Sequence, residues 1–541
     1  MEELFWADQL ARQIVARTKT EKRIANIKCQ QTPSGGKHIG NINDVIRAYF
    51  PYKALLEMGE KCTFVHTTDD RDPLKDIPYK LADLKGNWHL TKDLMDMKPY
   101  LGKPLCRIPD PFSCCKSWSV HFTKVWMDGV YVLGMRPELH SVDELYKQGK
   151  LEPYIRMVFE KADTAGKIAA KYQQTKTEKY IPFDAICPKC GTLSNIDSFD
   201  LKKKTVHFIC GGKSIKQKRA EGCGEESEVP WSEGKLQWRF EWPALWGIFN
   251  TTFEPMGKDH WEGSWKSGVD VARQIFGIEP PIPYVYEFFL VNGEKMSASK
   301  GNVYIVQDML KIMEPEVFMY FYTKRPTRQR DIELKEIFKL ADEFDKLEEQ
   351  FFSIDSITDA REKVNIQRSY FFSMKEIPKK KPLRIPFAFA STIAQTVSSG
   401  KALADSIEIL KSTGHIEGKL SSDEQKQIEE RLKAAKFWVE NYAPEEYRIE
   451  VVEEPSKEIL SRLSSGQKKA MKLLASELNK KLTEKQLYEK FFEISEKSGI
   501  DAKELFAAAY LVILGKERGP RLAPFIMALG KEKVAKILEK V

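Results

Sequence analysis

The sequence predicts an α/β protein: a doubly wound parallel sheet that carries a cysteine-bearing insertion and is followed by an all-α C-terminal region. Three observations support this. An apolar, strand-like stretch over 24–29 runs into a Gly-containing turn and then a helical pattern, the opening βα unit of such a sheet. A second strand-like stretch at 62–67 follows that helix. From about Arg330 the texture changes to Lys, Glu, Leu and Ala at helical spacing.

The elements follow in order. After His38, residues Ile42, Val45, Ile46 and Tyr49 fall on one helical face, and Pro51 is expected to kink or end that helix because it lacks an N–H and crowds the preceding turn. Residues 1–90 therefore read as the first half of a nucleotide-binding fold. Residues 91–235 read as an insertion, irregular and rich in Pro and Gly, with one helix-like segment over 153–172. The aromatic passage 238–246 marks the return of the sheet domain, whose second half, 236–330, includes strand-like 284–291. Residues 331–541 read as all-helical. Thr483 with Gln486, and Asp501 with Glu504, have the form of helix-starting capping boxes, while Lys379-Lys380-Lys381 and Ser464-Ser465-Gly466 read as links between helices.

At 541 residues the chain exceeds one hydrophobic core, and roughly 150 residues per domain gives three or four units. Lys and Arg number 86 against 78 Asp and Glu, a net charge of +8 that suits an anionic polymer partner and an ordinary protein equally. Residues 1–20 lack the uninterrupted apolar core of a signal peptide. The longest apolar run, 505–514, falls short of the roughly 20 residues that span a bilayer. A soluble, cytoplasmic chain with no membrane segment is expected.

Nine cysteines in such a chain suit metal ligation or apolar filling better than disulfides. Cys187 and Cys190 form a knuckle, and Cys210 and Cys223 each stand beside glycine, so four thiolates are available for a tetrahedral structural zinc. Twelve residues separate Cys210 from Cys223. A knuckle usually has about two to four there. The intervening loop is basic, with Lys213, Lys216, Lys218 and Arg219. Asp110, Cys114, Cys115 and His121 form a second cluster that spacing alone reads as a buried Cys and a surface His. Cys29, Cys62 and Cys106 read as apolar filler.

Two strings carry chemistry. Pro33-Ser34-Gly35-Gly36-Lys37-His38-Ile39-Gly40-Asn41 sits between strand and helix, where an imidazole and free backbone N–H groups can meet a phosphate. Lys295-Met296-Ser297-Ala298-Ser299-Lys300 is a loop bounded by lysines. Either alone is a common chance match. Together, and with Trp6-Ala7-Asp8, Pro109-Asp110-Pro111, Glu254-Pro255-Met256-Gly257-Lys258-Asp259-His260 and Tyr286-Glu287-Phe288, they resemble the "HIGH" and "KMSKS" signatures of class I aminoacyl-tRNA synthetases, and specifically the class I lysyl-tRNA synthetases. The similarity is densest over 1–330. In the C-terminal part only 514–521 is familiar.

The resemblance implies a ligase that joins lysine to tRNA(Lys) through lysyl-adenylate, using ATP and Mg²⁺, with a catalytic sheet domain, an anticodon-binding helical region and a monomeric chain. It places His38, Asn41 and Lys295 in catalysis, with Asn41 replacing the usual second histidine. ATP would be held by Pro33, Gly35, His38, Gly40, Asn41, Gly257, Asp259, Lys295, Met296, Ser297 and Ser299. Gly40 would leave room for the adenine, and Ala298 stands where the family has a second lysine, with Lys300 as a possible auxiliary charge. Thr32, Asp69, Asp70, Trp238, His260 and Tyr286 are the candidates for holding lysine. Gln30 and Gln31 stand where the family reads Gly and Ile. The resemblance also raises Asp110, Cys114, Cys115 and His121 to a zinc set, with Cys115 in place of a histidine, and it assigns Arg518 and Arg521 to base stacking. Alternatives are a class I synthetase for another amino acid, such as glutamate or cysteine, a small-molecule nucleotidyltransferase, and a tRNA-binding paralogue without catalysis.

Overall fold

The first apolar stretch forms β1 (Ala25–Gln31), and the helical pattern after His38 forms α2 (Ile42–Glu57), behind an N-terminal helix α1 (Trp6–Glu21). The second forms β2 (Cys62–Thr68), parallel to β1. β3 (Glu138–Ser141), β4 (Phe253–Gly257) and β5 (Ile282–Tyr286) complete a five-stranded parallel sheet in the order β5-β4-β1-β2-β3. This is the doubly wound order, which reverses between β1 and β4 and leaves a crevice at their carboxyl ends. The computed structural model describes all residues except 1–4, 216–217, 325–326 and 398–401.

Several expectations change. Pro51 does not end α2, which runs on to Glu57. Phe50 packs against Trp6 and Phe372 in tilted pairs with ring centroids 5.7 and 5.0 Å away, so tertiary packing offsets the lost hydrogen bond. The stretch taken as an insertion supplies the edge strand β3 and a core helix, α3 (Trp118–Val132). The helix expected over 153–172 is two helices that meet at Lys161. The aromatic passage is α4 (Trp238–Ile248), with Pro243 inside it. The strand expected over 284–291 splits into β5 and β6 (Phe289–Val291), and β6 pairs in parallel with β7 (Arg330–Ile332).

Two compact units are present. The first holds the chain to Asp308 together with Tyr322–Ile332 and Asp359–Lys375. The second holds Met309–Phe321, Glu333–Thr358 and the chain from Glu376 onward. The chain thus crosses between units more than once rather than at a single boundary near 331. Asp359–Lys375 is tied into the first unit by Arg368, whose guanidinium binds both oxygens of Asp8 at 2.6 and 2.9 Å. The described part of the second unit is helical, and the capping boxes at Thr483 and Asp501 both form. Ser464 is itself an N-cap, so Ser465 and Gly466 open a helix rather than link two. Among the described residues no helix is long and apolar enough to cross a membrane.

Candidate active site

A cavity of about 370 Å³ lies at the carboxyl ends of β1 and β4, lined by Gln30, Gln31 and Thr32 from one and Pro255, Met256 and Gly257 from the other. This is the switch point of the sheet, where open α/β folds take ligands. His38, Gly40 and Asn41 enter from the start of α2, and Lys295 and Met296 from the loop after β6. The two strings, more than 250 residues apart in sequence, therefore share one wall. A Cβ built on Gly40 would lie 3.3 Å from Met296 Cε. Gly40 is also kept small by the protein itself: that Cβ would lie 2.9 Å from the His38 ring, which folds over it.

His38 is poised as a neutral donor. Burial, aided by the charges of Lys37 and Lys295, lowers its pKa from 6.5 to about 3. Nδ1 accepts the Gly40 N–H at 3.1 Å, so the ring proton sits on Nε2. The Asn41 side-chain oxygen accepts the His38 N–H at 3.2 Å and fixes the turn. Lys295 Nζ rests over the Phe288 ring at 4.0 Å. Ser297 and Ser299 face each other at 3.1 Å and do not line the cavity. Pro33 and Gly35 also stand behind the wall. The Pro33 carbonyl accepts the Trp118 indole N–H at 2.9 Å, and a Cβ on Gly35, whose φ is +81°, would lie 2.5 Å from that ring.

The opposite wall is polar and acidic. Asp69 Oδ1, both amide atoms of Gln31 and the Trp238 indole N–H are buried without a hydrogen-bond partner among the described residues, and all three side chains line the cavity. Unpaired buried polar groups are costly, so this wall is built for a polar ligand. Burial pushes the Asp69 carboxyl well above its ordinary value. Thr32, His260, Asp259 and Tyr286 line the same cavity. A Cβ on Gly257 would lie 2.7 Å from Asp259 Oδ1, so Gly257 gives that carboxylate its place. Asp70 is a correction: it lies outside the cavity, and its carboxylate accepts Ser141 Oγ at 2.5 Å and the Asp143 N–H at 2.8 Å. It anchors the start of the helix Val142–Lys147 that directly follows β3.

The charged cavity residues missed from sequence are Asp44, Asp72, Lys37 and Lys75. Asp44, one turn into α2, accepts the Tyr286 hydroxyl at 2.8 Å, and burial raises its pKa to about 7. Its signal was an acidic residue three positions after Asn41, on the same helical turn. Asp72 accepts Lys75 at 2.9 Å and Lys235 at 3.2 Å, and these cations hold its pKa far below the ordinary value against burial. Behind the cavity, Glu254 pairs with Lys28 at 2.8 Å, each 1% exposed, and also accepts the indoles of Trp242 and Trp246 at 3.0 and 2.7 Å. That packing role explains the Glu of the Glu254–His260 string. The helical stretch after β4 contains two π-turns, Trp261–Trp265 and Ala272–Phe276, irregularities that cluster near functional sites.

Two further clusters fit metal. Cys187 lies 3.6 Å from Cys223, and Cys190 lies 3.6 Å from Cys210, sulfur to sulfur. Zn–S bonds of about 2.3 Å in a tetrahedron separate sulfurs by about 3.8 Å, so the four thiols fit zinc. The long spacing before Cys223 is a β-ribbon, Gly212–Ile215 paired with Lys218–Glu221. Of its basic residues, Lys213 meets Asp184. Lys216, with the side chains of Lys218 and Arg219, lies outside the described residues.

In the second cluster the ligand atoms of Asp110, Cys114, Cys115 and His121 lie within 4.8 Å of one another. His121 Nε2 meets the Ala82 carbonyl at 3.0 Å, and its Nδ1 lies 3.2 Å from Asp110 Oδ1 and 3.3 Å from Cys114 Sγ. This close set of nitrogen, oxygen and sulfur donors, with the second ring nitrogen held by a backbone carbonyl, fits a metal ion.

Residues 4–375 match the family model described as tRNA synthetases class I (K), and the chain belongs to that family. It is similar to the lysine–tRNA ligase of Natronomonas pharaonis, 34% identical over 99% of this chain and 97% of the relative. Those of Halobacterium salinarum, 36% identical over 99% and 97%, and Pyrococcus horikoshii, 31% identical over 98% and 99%, are similar as well.

Proposed function

We propose that the chain is a lysine–tRNA ligase that activates lysine with ATP to lysyl-adenylate and transfers the lysyl group to the terminal adenosine of tRNA(Lys). The observation that carries this reading is the convergence of His38 and Lys295 on one cavity that Asp44 and Asp69 also line. Family membership and near full-length similarity to lysine–tRNA ligases support it. Adenylate formation builds negative charge on phosphoryl oxygens, which preorganised donors stabilise. His38 Nε2–H and Lys295 Nζ are those donors, and Asp259 takes the ribose hydroxyls. Mg²⁺, when bound, neutralises phosphate charge. In the helical unit, a cavity of about 820 Å³ walled by Phe389, His415, Tyr447, Arg518 and Arg521 has the aromatic and guanidinium faces that single-stranded anticodon bases stack on. The test is pyrophosphate exchange with ATP and tRNA present, measured amino acid by amino acid. Lysine alone should stimulate it, whereas exchange with glutamate or cysteine, or none at all, would overturn the reading.

Lysine recognition should depend on pH. The cationic side chain needs an ionised partner, and Asp44, with a pKa of about 7, gains its charge only above neutrality when the cavity is empty. The KM for lysine should fall about tenfold between roughly pH 6 and 8, the scale of one charge-assisted hydrogen bond. Asp44→Asn should flatten that dependence. Stability runs the other way: because folding raises this carboxyl from 3.8 to about 7, the folded state binds the extra proton across that window and loses stability as pH rises through it.

Both metal clusters are proposed to hold structural zinc. Elemental analysis of the purified protein should find about two zinc ions per chain. Cys190→Ser should lose one of them and lower the melting temperature, since Cys187 and Cys210 belong to the buried core of that module. Full zinc content in Cys190→Ser would contradict the assignment.

A further inference from the structure

Lys37 has no role in the reading so far. Its half-buried side chain lines the cavity beside His38. Among the described residues no carboxylate comes within ion-pair distance of its ammonium, although Asp69 and Asp44 act on it from farther away. Burial lowers its pKa, and those two carboxylates oppose the shift. A lysine held at a cavity wall without a close counter-ion is a cation awaiting an anionic ligand. Lys37 and Lys295 both act electrostatically on the His38 imidazole, and all three side chains line the cavity.

The KMSKS-like loop supplies the complementary observation. Ala298 does not line the cavity: a Cβ built on Gly36 would lie 2.2 Å from the Ala298 methyl. The Ala298 carbonyl also accepts the Tyr79 N–H at 3.0 Å, which seats the loop in that position. A lysine at 298 would therefore start out pointed at the Gly36 backbone. The side chain that does enter the cavity from this contact belongs to the residue after Gly36.

We propose that Lys37 is a second catalytic cation, whose ammonium contacts the ATP polyphosphate beside His38 and Lys295 and supplies the charge absent at position 298. This rests on the lysine-activating reading above. In that step a carboxylate oxygen of lysine bonds to the α-phosphorus, the bond from that phosphorus to the α–β bridging oxygen breaks, and its electron pair leaves with pyrophosphate. No proton moves. Negative charge accumulates on the phosphoryl oxygens and the leaving group, where a second ammonium stabilises it.

The test uses the full-length Lys37→Met protein in lysine-dependent pyrophosphate exchange, with lysine binding measured by calorimetry without ATP and a thermal melt in parallel. The exchange kcat should fall about 100-fold, the scale of losing one transition-state donor, with lysine affinity unchanged or tighter. The melting temperature should be unchanged or higher, because the substitution removes a poorly compensated charge. Exchange within about threefold of wild type would overturn the proposal, given the usual cost of such a donor. So would a loss of activity accompanied by weakened lysine binding or a lowered melting temperature, which would make Lys37 structural. A wild-type protein without lysine-dependent exchange would instead overturn the activation reading on which the proposal rests.

Discussion

Lys295→Ala should lose about 10²–10³-fold in lysine-dependent pyrophosphate exchange, the range for removing one preorganised transition-state donor, while keeping its melting temperature and its affinity for tRNA. The fold does not rely on this side chain. Its ammonium rests over the Phe288 ring, and no carboxylate among the described residues pairs with it. Stability should therefore change by less than about 1 kcal/mol, the value of an exposed cation–π contact. The loss should appear in kcat, because the charge it meets is largest in the transition state. A variant that exchanges as fast as wild type would remove Lys295 from the chemistry. One that unfolds would make it structural.

The largest effect on stability is expected at Glu254, whose carboxylate is the hub of the layer behind the cavity. Glu254→Ala strands the ammonium of Lys28, which is 1% exposed, and leaves the Trp242 and Trp246 indoles without their acceptor. Gln30, whose side-chain oxygen accepts Lys28 at 2.7 Å, offsets only part of that loss. Breaking a buried pair from one side costs about 3–5 kcal/mol, and denaturant unfolding should register a shift of that order. Glu254→Gln keeps an acceptor for the indoles and should cost less. A Glu254→Ala protein within about 1 kcal/mol of wild type would show that the pair is worth no more than a surface one.

Local signals were legible in the sequence, and long-range partnerships were not. The strands at 24–29 and 62–67 announced themselves as apolar runs before turn residues, and both capping boxes formed as the Thr483 and Asp501 patterns predicted. Pro51 was misread because its penalty is local whereas the packing of Phe50 against Trp6 and Phe372 is tertiary. The strand β3 was hidden inside a stretch that reads as irregular, since a four-residue edge strand carries little periodicity.

At the site, the strings around His38 and Lys295 meet at one cavity, and Thr32, Trp238, Asp259, His260 and Tyr286 also line it. Asp70 was a candidate because it adjoins Asp69, but neighbours just past a strand end point in different directions, and it holds the start of the helix after β3. Asp44 was missed because its partner Tyr286 lies 242 residues away, and no spacing rule reports such a pair. Gly35 and Gly40 each also yield to an aromatic ring of the protein itself, a constraint that no local pattern reports.

The most direct measurement is a crystal structure of the protein with a non-hydrolysable lysyl-adenylate analogue. The analogue's phosphoryl group should lie within hydrogen-bond distance of His38 Nε2 and Lys295 Nζ, its ribose on Asp259 and its ammonium against Asp44 or Asp69. An analogue seated elsewhere, or bound in this cavity with His38 and Lys295 turned away from the phosphoryl group, would contradict the account.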